Sequence, residues 1–237
     1  SELIQVNQDL DLAPFSGDGT YLRIQEVQDL LAGTGTSTDD SENFFTTRLL
    51  LLLESKCLAN DRLYQDAVAR IVGMYFRDGK GRKGFKPLFL LNDILRYWRT
   101  LCLNYERSRH EPGKPWWKKN LNLKFPRKLT VFSSVLAIIA AHVEDNDAFA
   151  PLISKTPLER FAHALDTIGD EGFIESFAMF LDDYEDFLAA KSHSELEATD
   201  EAGIAHFSEK AERFDDLLHS VLASPNLDRR LVRYISI

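Results

Sequence analysis

Five consecutive leucines, Leu49–Leu53, flanked by Arg48 and Glu54, constrain this chain more than any other feature. Across residues 44–58 the apolar side chains are too dense for a two-faced helix, so the run predicts a helix buried on most sides and central to a core. Asp39-Asp40-Ser41 in front supplies N-cap chemistry, with Glu42 and Asn43 expected in the first turn. A charge next to such a run must be paired or face a site, because an uncompensated buried ion costs several kcal/mol. Arg48 and Glu54 are six residues apart, about 600° of helical rotation, so they do not pair with each other. Partners elsewhere are implied: Arg96 or Arg99 is the expected partner for Glu54, as a structural ion pair at a helix crossing.

Most of the remaining chain repeats apolar residues at helical spacing. Leu63 to Phe76 places Ala67, Val68, Ile71, Val72 and Tyr75 on one face. Pro87 opens a helix through Arg107 with Leu91, Leu95, Trp98, Cys102 and Tyr105 in a stripe. His110 to Trp117 reads as a connection marked by Pro and Gly, and Lys128 to His142 as a strongly apolar helix. Thr156 as N-cap and Pro157 at the first position open another helix. Phe173 to Ala190 and Ile204 to Leu222 are amphipathic, and Leu227 to Ile235 closes the chain. Only Tyr21 to Ile24, and weakly Leu3 to Val6, look extended. The expected fold is therefore an all-α helical bundle with at most one short extended segment near the N-terminus.

With 237 residues, 44% of them hydrophobic, the chain can bury a core of its own. No apolar stretch reaches the roughly 18 residues that span a bilayer. Ser1 to Gln5 lacks the basic region and apolar core of a signal peptide, so the expectation is a cytoplasmic protein with no membrane partner. The chain also lacks an initiating Met and is read as a piece of something longer. Cys57 and Cys102 are expected to be buried free thiols.

The formal charge of -9 argues at first against anionic partners, but it is unevenly distributed. Residues 77–128 hold 15 Lys and Arg against 4 Asp and Glu, a net +11, whereas residues 1–76 carry -7 and residues 129–237 carry -13. Local potential governs which ions approach a cleft, so the basic centre is where a phosphate-bearing ligand belongs. The flip in charge suggests a boundary between a helical module, 1–145, and an acidic C-terminal subdomain, 146–237, within what could equally be one continuous domain.

Candidate binding residues cluster in that centre. Asn92, Arg96 and Arg99, spaced by four and three, share one helix face, and two guanidiniums one turn apart can clamp a phosphate or carboxylate. The plain alternative is that Asp93 pairs with Arg96 on a solvated face. Residues 118–128 alternate Lys118, Lys119, Lys124, Arg127 and Lys128 with apolar side chains, behind Trp116 and Trp117, which could stack on a base. The competing reading is a solvated charge run with the tryptophans covering a core edge. Arg48, Glu54, Asn92, Arg96, Arg99, Lys124, Arg127 and Lys128 are thus the candidate substrate or phosphate ligands.

Sharper motifs are missing. Gly17-Asp18-Gly19 and the pair Gly33 and Gly35 lack the strand context of a phosphate loop. No Cys/His spacing suits a metal, and His163, His193, His206 and His219 stand apart on acidic helices.

Three blocks, DDSENFFTTRLLLLLES (39–55), NDILRYWRT (92–100) and NLNLKFPRKL (120–129), resemble the helical region that follows the catalytic domain in a group of bacterial nucleotidyltransferase-domain proteins. The likeness spans about residues 15–140. It implies a parent enzyme of the DNA polymerase β-like superfamily, in which a Gly-Ser turn seats the triphosphate and an Asp-x-Asp holds Mg²⁺. Here no Gly-Ser turn precedes Asp9-Leu10-Asp11, so the chain matches the accessory helices without the catalytic domain. Mg²⁺ is expected only with that domain, no cofactor is assigned to this chain, and its catalytic residues are left unassigned. Under this resemblance the basic helices bind a nucleotide's base and phosphates or the acceptor substrate.

A second function class is a non-enzymatic interaction module, with the basic segment docking an acidic partner, a second copy, or the chain's own acidic C-terminal half. A third rests on Arg213 and His219, which resemble the catalytic pair of a helical ribonuclease superfamily, although Asp215 and Asp216 beside them would repel RNA.

Overall fold

The computed structural model describes residues 2–11, 24–79, 83–109, 116–192 and 201–235, and among them there are helices and turns but no strand. Two compact units divide the chain, Ser1–Arg48 and Leu49–Ile237. The boundary suggested by charge near residue 145 lies inside the second unit.

The first unit contains α1 (Glu2–Asp9), α2 (Val27–Ala32), α3 (Thr38–Ser41) and the first residues of α4 (Phe44–Leu53). Leu3 to Val6, expected to be extended, belong to α1, because a four-residue strand needs a neighbour to pair with and a helix satisfies its own backbone. Tyr21 to Arg23 lie outside the described residues, and Ile24 is not in a strand. Buried Leu30 and Phe45 form the apolar centre of this unit. Gly33 sits against Phe44, where an added Cβ would come within 2.5 Å of a ring carbon.

Among the described residues of this unit, Arg48 is the fully buried charge. It donates from both terminal nitrogens to the Asp39 carboxylate, at 2.6 and 2.8 Å, and also from Nη1 to the Leu30 carbonyl at 2.9 Å. The expected N-cap acids are therefore used otherwise: Asp39 is buried in the single turn of α3 and neutralises Arg48.

In the second unit the leucine helix ends at Leu53 rather than Leu58. α5 (Asp61–Phe76) starts at Asn60, whose side chain accepts from the Leu63 amide. A 3₁₀ turn, Arg77–Gly79, ends it, and α6 (Leu88–Arg109) follows. Helical structure then continues without a gap from Trp116 to Ala140: α7 (Trp116–Asn122), a π-helical turn (Leu123–Arg127) and α8 (Lys128–Ala140) follow one another directly. Trp116 and Trp117, read as the end of a connection, therefore open a helix. Pro126 lies in the π turn; it has no N–H to donate and its ring crowds the carbonyl four residues back, and the wider turn relieves both.

α8 is the centre of this unit, with all residues from Leu129 to Ala140 buried except Phe132. It packs along α10 (Pro157–Ile168) and against α6 and α9 (Asn146–Ile153). α10 begins as its sequence predicts. Thr156 Oγ1 accepts from the Glu159 amide, Glu159 accepts from the Thr156 amide, Pro157 occupies the first turn, and Gly169 closes the helix at φ 73°. α11 (Glu171–Ser192) and α12 (Glu201–Ala223) pack together, and α13 (Arg229–Ile235) returns to α6. Their shared core is aromatic. Phe180 stacks on Phe214 at 4.1 Å, Phe161 on Phe177 at 4.8 Å, and Phe187 on Phe125 of the π turn at 4.8 Å. Offset stacks of this kind contribute beyond the area they bury.

Cys57 and Cys102 are free thiols as expected, but both are half-buried rather than enclosed.

Candidate functional site

Arg99 from the middle of the basic centre and Lys128 from its end meet in one cleft of about 700 Å³ within the second unit. α6 supplies Leu95, Trp98 and Arg99, the start of α8 supplies Lys128 and Phe132, α12 supplies Asp215, Leu218 and His219, and α13 supplies Arg229 and Val232. Trp98 and Arg99 are neighbours on α6, which lets the indole line the apolar side while the guanidinium stays exposed. Lys128, the first residue of α8 after the π turn, lines the cleft with Phe132 one turn further on.

The geometry is amphipathic. Trp98 and Phe132 meet edge to face, with centroids 5.6 Å apart. Lys128 Nζ lies 5.9 Å from the Trp98 ring centre, inside cation–π range, and also pairs with Asp215. Arg229 donates to the Ala223 carbonyl at 3.0 Å. Three cations, Arg99, Lys128 and Arg229, thus face one carboxylate over a floor of aromatic and aliphatic side chains. Cys102, one turn after Trp98, has its thiol pKa pushed up by burial, with the Lys128 charge opposing. A site of this volume and lining can hold a small ligand with a flat or apolar body and an anionic end.

The other predicted ligands fall elsewhere. Arg48 is enclosed in the first unit by Asp39 and is not available to a ligand. Glu54 takes its partners from Tyr97, which donates at 2.7 Å, and from Arg127, rather than from a clamp on Arg96 and Arg99. Burial works against the Arg127 charge, but Glu54 and Tyr97 outweigh it and raise its pKa. Asn92 is exposed and Arg96 half-buried on α6, while Asp93 is buried and accepts from the Tyr75 hydroxyl at 2.8 Å. Lys124 is half-buried in the π turn. Trp116 is exposed, with the Arg109 guanidinium 5.4 Å above its ring, and Trp117 is half-buried. Neither tryptophan lines the cleft; the indole that does is Trp98.

A second concentration of charge lies where α7 meets the end of α11. Lys191 donates to Asn122 at 2.8 Å, and its pKa is lowered by burial first and then by the charges of Lys118 and Arg127. Lys191 had no sequence signal, since it sits among acidic residues. Arg229 was missed because its short basic stretch, with Arg230 and Arg233, lies within residues 129–237, which carry a net -13.

Remaining motifs resolve simply. Asp9 and Asp11 are exposed at the end of α1, where Asp9 accepts from Gln5. A further Asp-x-Asp, Asp145-Asn146-Asp147, caps α9 through Asp145. Arg213 is held by both oxygens of Asp183 and lines a different cleft from His219, so the two do not share a site. Among the described residues no group of three or more His, Cys, Asp or Glu could hold a metal, and no helix is long and apolar enough to cross a membrane. His193 lies outside the described residues.

Comparison with known protein families, with curated proteins and with solved structures finds no match.

Proposed function

We propose that this chain is a helical ligand-binding region whose large cleft holds a nucleotide or a similar aromatic anion. Arg99, Lys128 and Arg229 serve as phosphate contacts, and Trp98 with Phe132 as the surface for the base. One observation carries the reading: Arg99 and Lys128, 29 positions apart in the basic centre, line the same cleft beside an indole. The role agrees with the resemblance to the accessory helices of polymerase β-like nucleotidyltransferases, in which the catalytic carboxylates would belong to a separate domain.

The test is a titration of the chain with ATP, followed by Trp98 fluorescence in a Trp116→Phe/Trp117→Phe background. Saturable quenching is expected, and Arg99→Ala/Lys128→Ala should raise Kd by about a hundredfold or more, since each of the two charge-assisted contacts is worth roughly 1.5–3 kcal/mol. Quenching of equal affinity in the double variant would overturn the reading.

The interaction-module alternative draws on a specific observation too. Lys86 pairs with Asp228 at 3.1 Å and Lys128 with Asp215, so part of the basic centre is neutralised by the acidic C-terminal half of the same unit. Reversal of Lys118, Lys119 and Lys124 to Glu would then abolish self-association or destabilise the fold while leaving ATP titration unchanged.

A further inference from the structure

Away from the large cleft, one buried cation has no salt-bridge partner among the described residues. Arg160 of α10 is 2% exposed. Its Nη1 donates to the Ser134 hydroxyl, its Nη2 to the Leu53 carbonyl at 2.8 Å, and its Nε has no acceptor among the described residues. Every acceptor it has is neutral, in contrast to Arg48, which is neutralised by Asp39 through two bonds. The Glu54 charge reaches Arg160, yet its two carboxylate oxygens are engaged by Tyr97 and Arg127. Burial dominates, and the Arg160 pKa falls to about 10.

A buried guanidinium with a spare donor requires an acceptor or a counter-charge. Arg160 forms part of the wall of a second cleft, about 460 Å³, between the end of α4, the start of α5 and the α9–α10 junction. Lys56 and Lys155 also line it, with Asp61, the Tyr64 hydroxyl and Thr130. With Glu54 matched by Arg127, the three cations share the cleft with Asp61, and Glu159 lies near enough to feel the charges of Lys56 and Lys155. That balance favours a single phosphate group over a polyphosphate. The lining is rich in hydroxyls, unlike the aromatic floor of the large cleft.

We propose that this second cleft is a site for a small phosphate, free or as the monoester of a small polar molecule, with Arg160 as its buried anchor and Lys56 and Lys155 at its mouth. The site is independent of whatever occupies the large cleft. A phosphate in the cleft supplies the counter-charge that the neutral acceptors of Arg160 do not, and it couples the three segments that meet there.

Calorimetric titration of the full chain with inorganic phosphate, at constant ionic strength maintained with chloride, tests this. Saturable binding in the millimolar range or tighter is expected. Arg160→Met should weaken it about tenfold or more, a loss of one charge-assisted contact. Because Arg160 also ties α10 to Leu53 and Ser134, the exposed-rim variant Lys56→Ala/Lys155→Ala is measured in parallel and should weaken binding several-fold with the fold intact. Arg99→Ala/Lys128→Ala should leave it unchanged. Titration with glycerol 3-phosphate separates the sources: tighter binding than inorganic phosphate marks an ester site, equal binding a free-phosphate site. Absence of saturable phosphate binding, unchanged affinity in the rim variant, or a loss caused by Arg99→Ala/Lys128→Ala would each overturn the proposal.

Discussion

Asp39→Ala should open the first unit far more than its size suggests. The substitution removes a small acidic side chain, but it leaves Arg48 fully buried without the carboxylate that neutralises it. Two short charge-assisted bonds, at 2.6 and 2.8 Å, are lost together. Breaking a buried ion pair from one side costs about 3–5 kcal/mol, most of it the penalty of the stranded charge. Hydrogen exchange at the amides of Leu30 and of 45–48 reads the local opening, and exchange should accelerate by about two to three and a half orders of magnitude, up to the limit set by the unit's own stability. The double variant Asp39→Ala/Arg48→Met removes the stranded charge and should recover most of the loss. An acceleration below about tenfold in Asp39→Ala, or no recovery in the double variant, would refute the assignment of Arg48 as a structural charge neutralised by Asp39.

Two further outcomes follow from the second unit. Phe180→Ala removes the ring that stacks on Phe214 at 4.1 Å and also contacts Phe177 and Tyr184, and urea denaturation should show a loss of about 3–5 kcal/mol, whereas Phe180→Leu should cost much less. The Thr156 backbone amide and hydroxyl, donating to Glu159, lower its pKa below the ordinary glutamate value of 4.5. A depressed folded-state pKa stabilises above the ordinary value and is lost as pH falls through the folded one, so the Tm difference between wild type and Glu159→Gln should be full at pH 7 and close at pH values well below 4.5.

Local features were the legible part of this fold. The opening of α10 is written in Thr156-Pro157-Leu158-Glu159, because a capping box needs only four consecutive residues. The apolar run of α8 announced its burial in the same way. What sequence could not give was the partner of each charge. Asp39 has the composition of an N-cap, and only the turn of α3 brings it onto Arg48. Arg160 follows Glu159 in an amphipathic helix and reads as a surface charge until α8 and Leu53 close over it. Half of the large cleft was visible in Arg99 and Lys128, since the charge excess of residues 77–128 singled them out. Arg229 was hidden because its short basic stretch falls within residues 129–237, which carry a net -13, His219 because it stands alone on an acidic helix, and the π turn because nothing in residues 123–127 but Pro126 marks it.

Chemical-shift mapping of ATP on the ¹⁵N-labelled chain tests the central claim most directly, because it locates the ligand without assuming a site. The account predicts saturable shifts at the Trp98 indole N–H and at the amides of Phe132, Leu218 and Val232, lost together in Arg99→Ala/Lys128→Ala. Shifts confined to the Trp116 and Trp117 surface, or none at all, would contradict it.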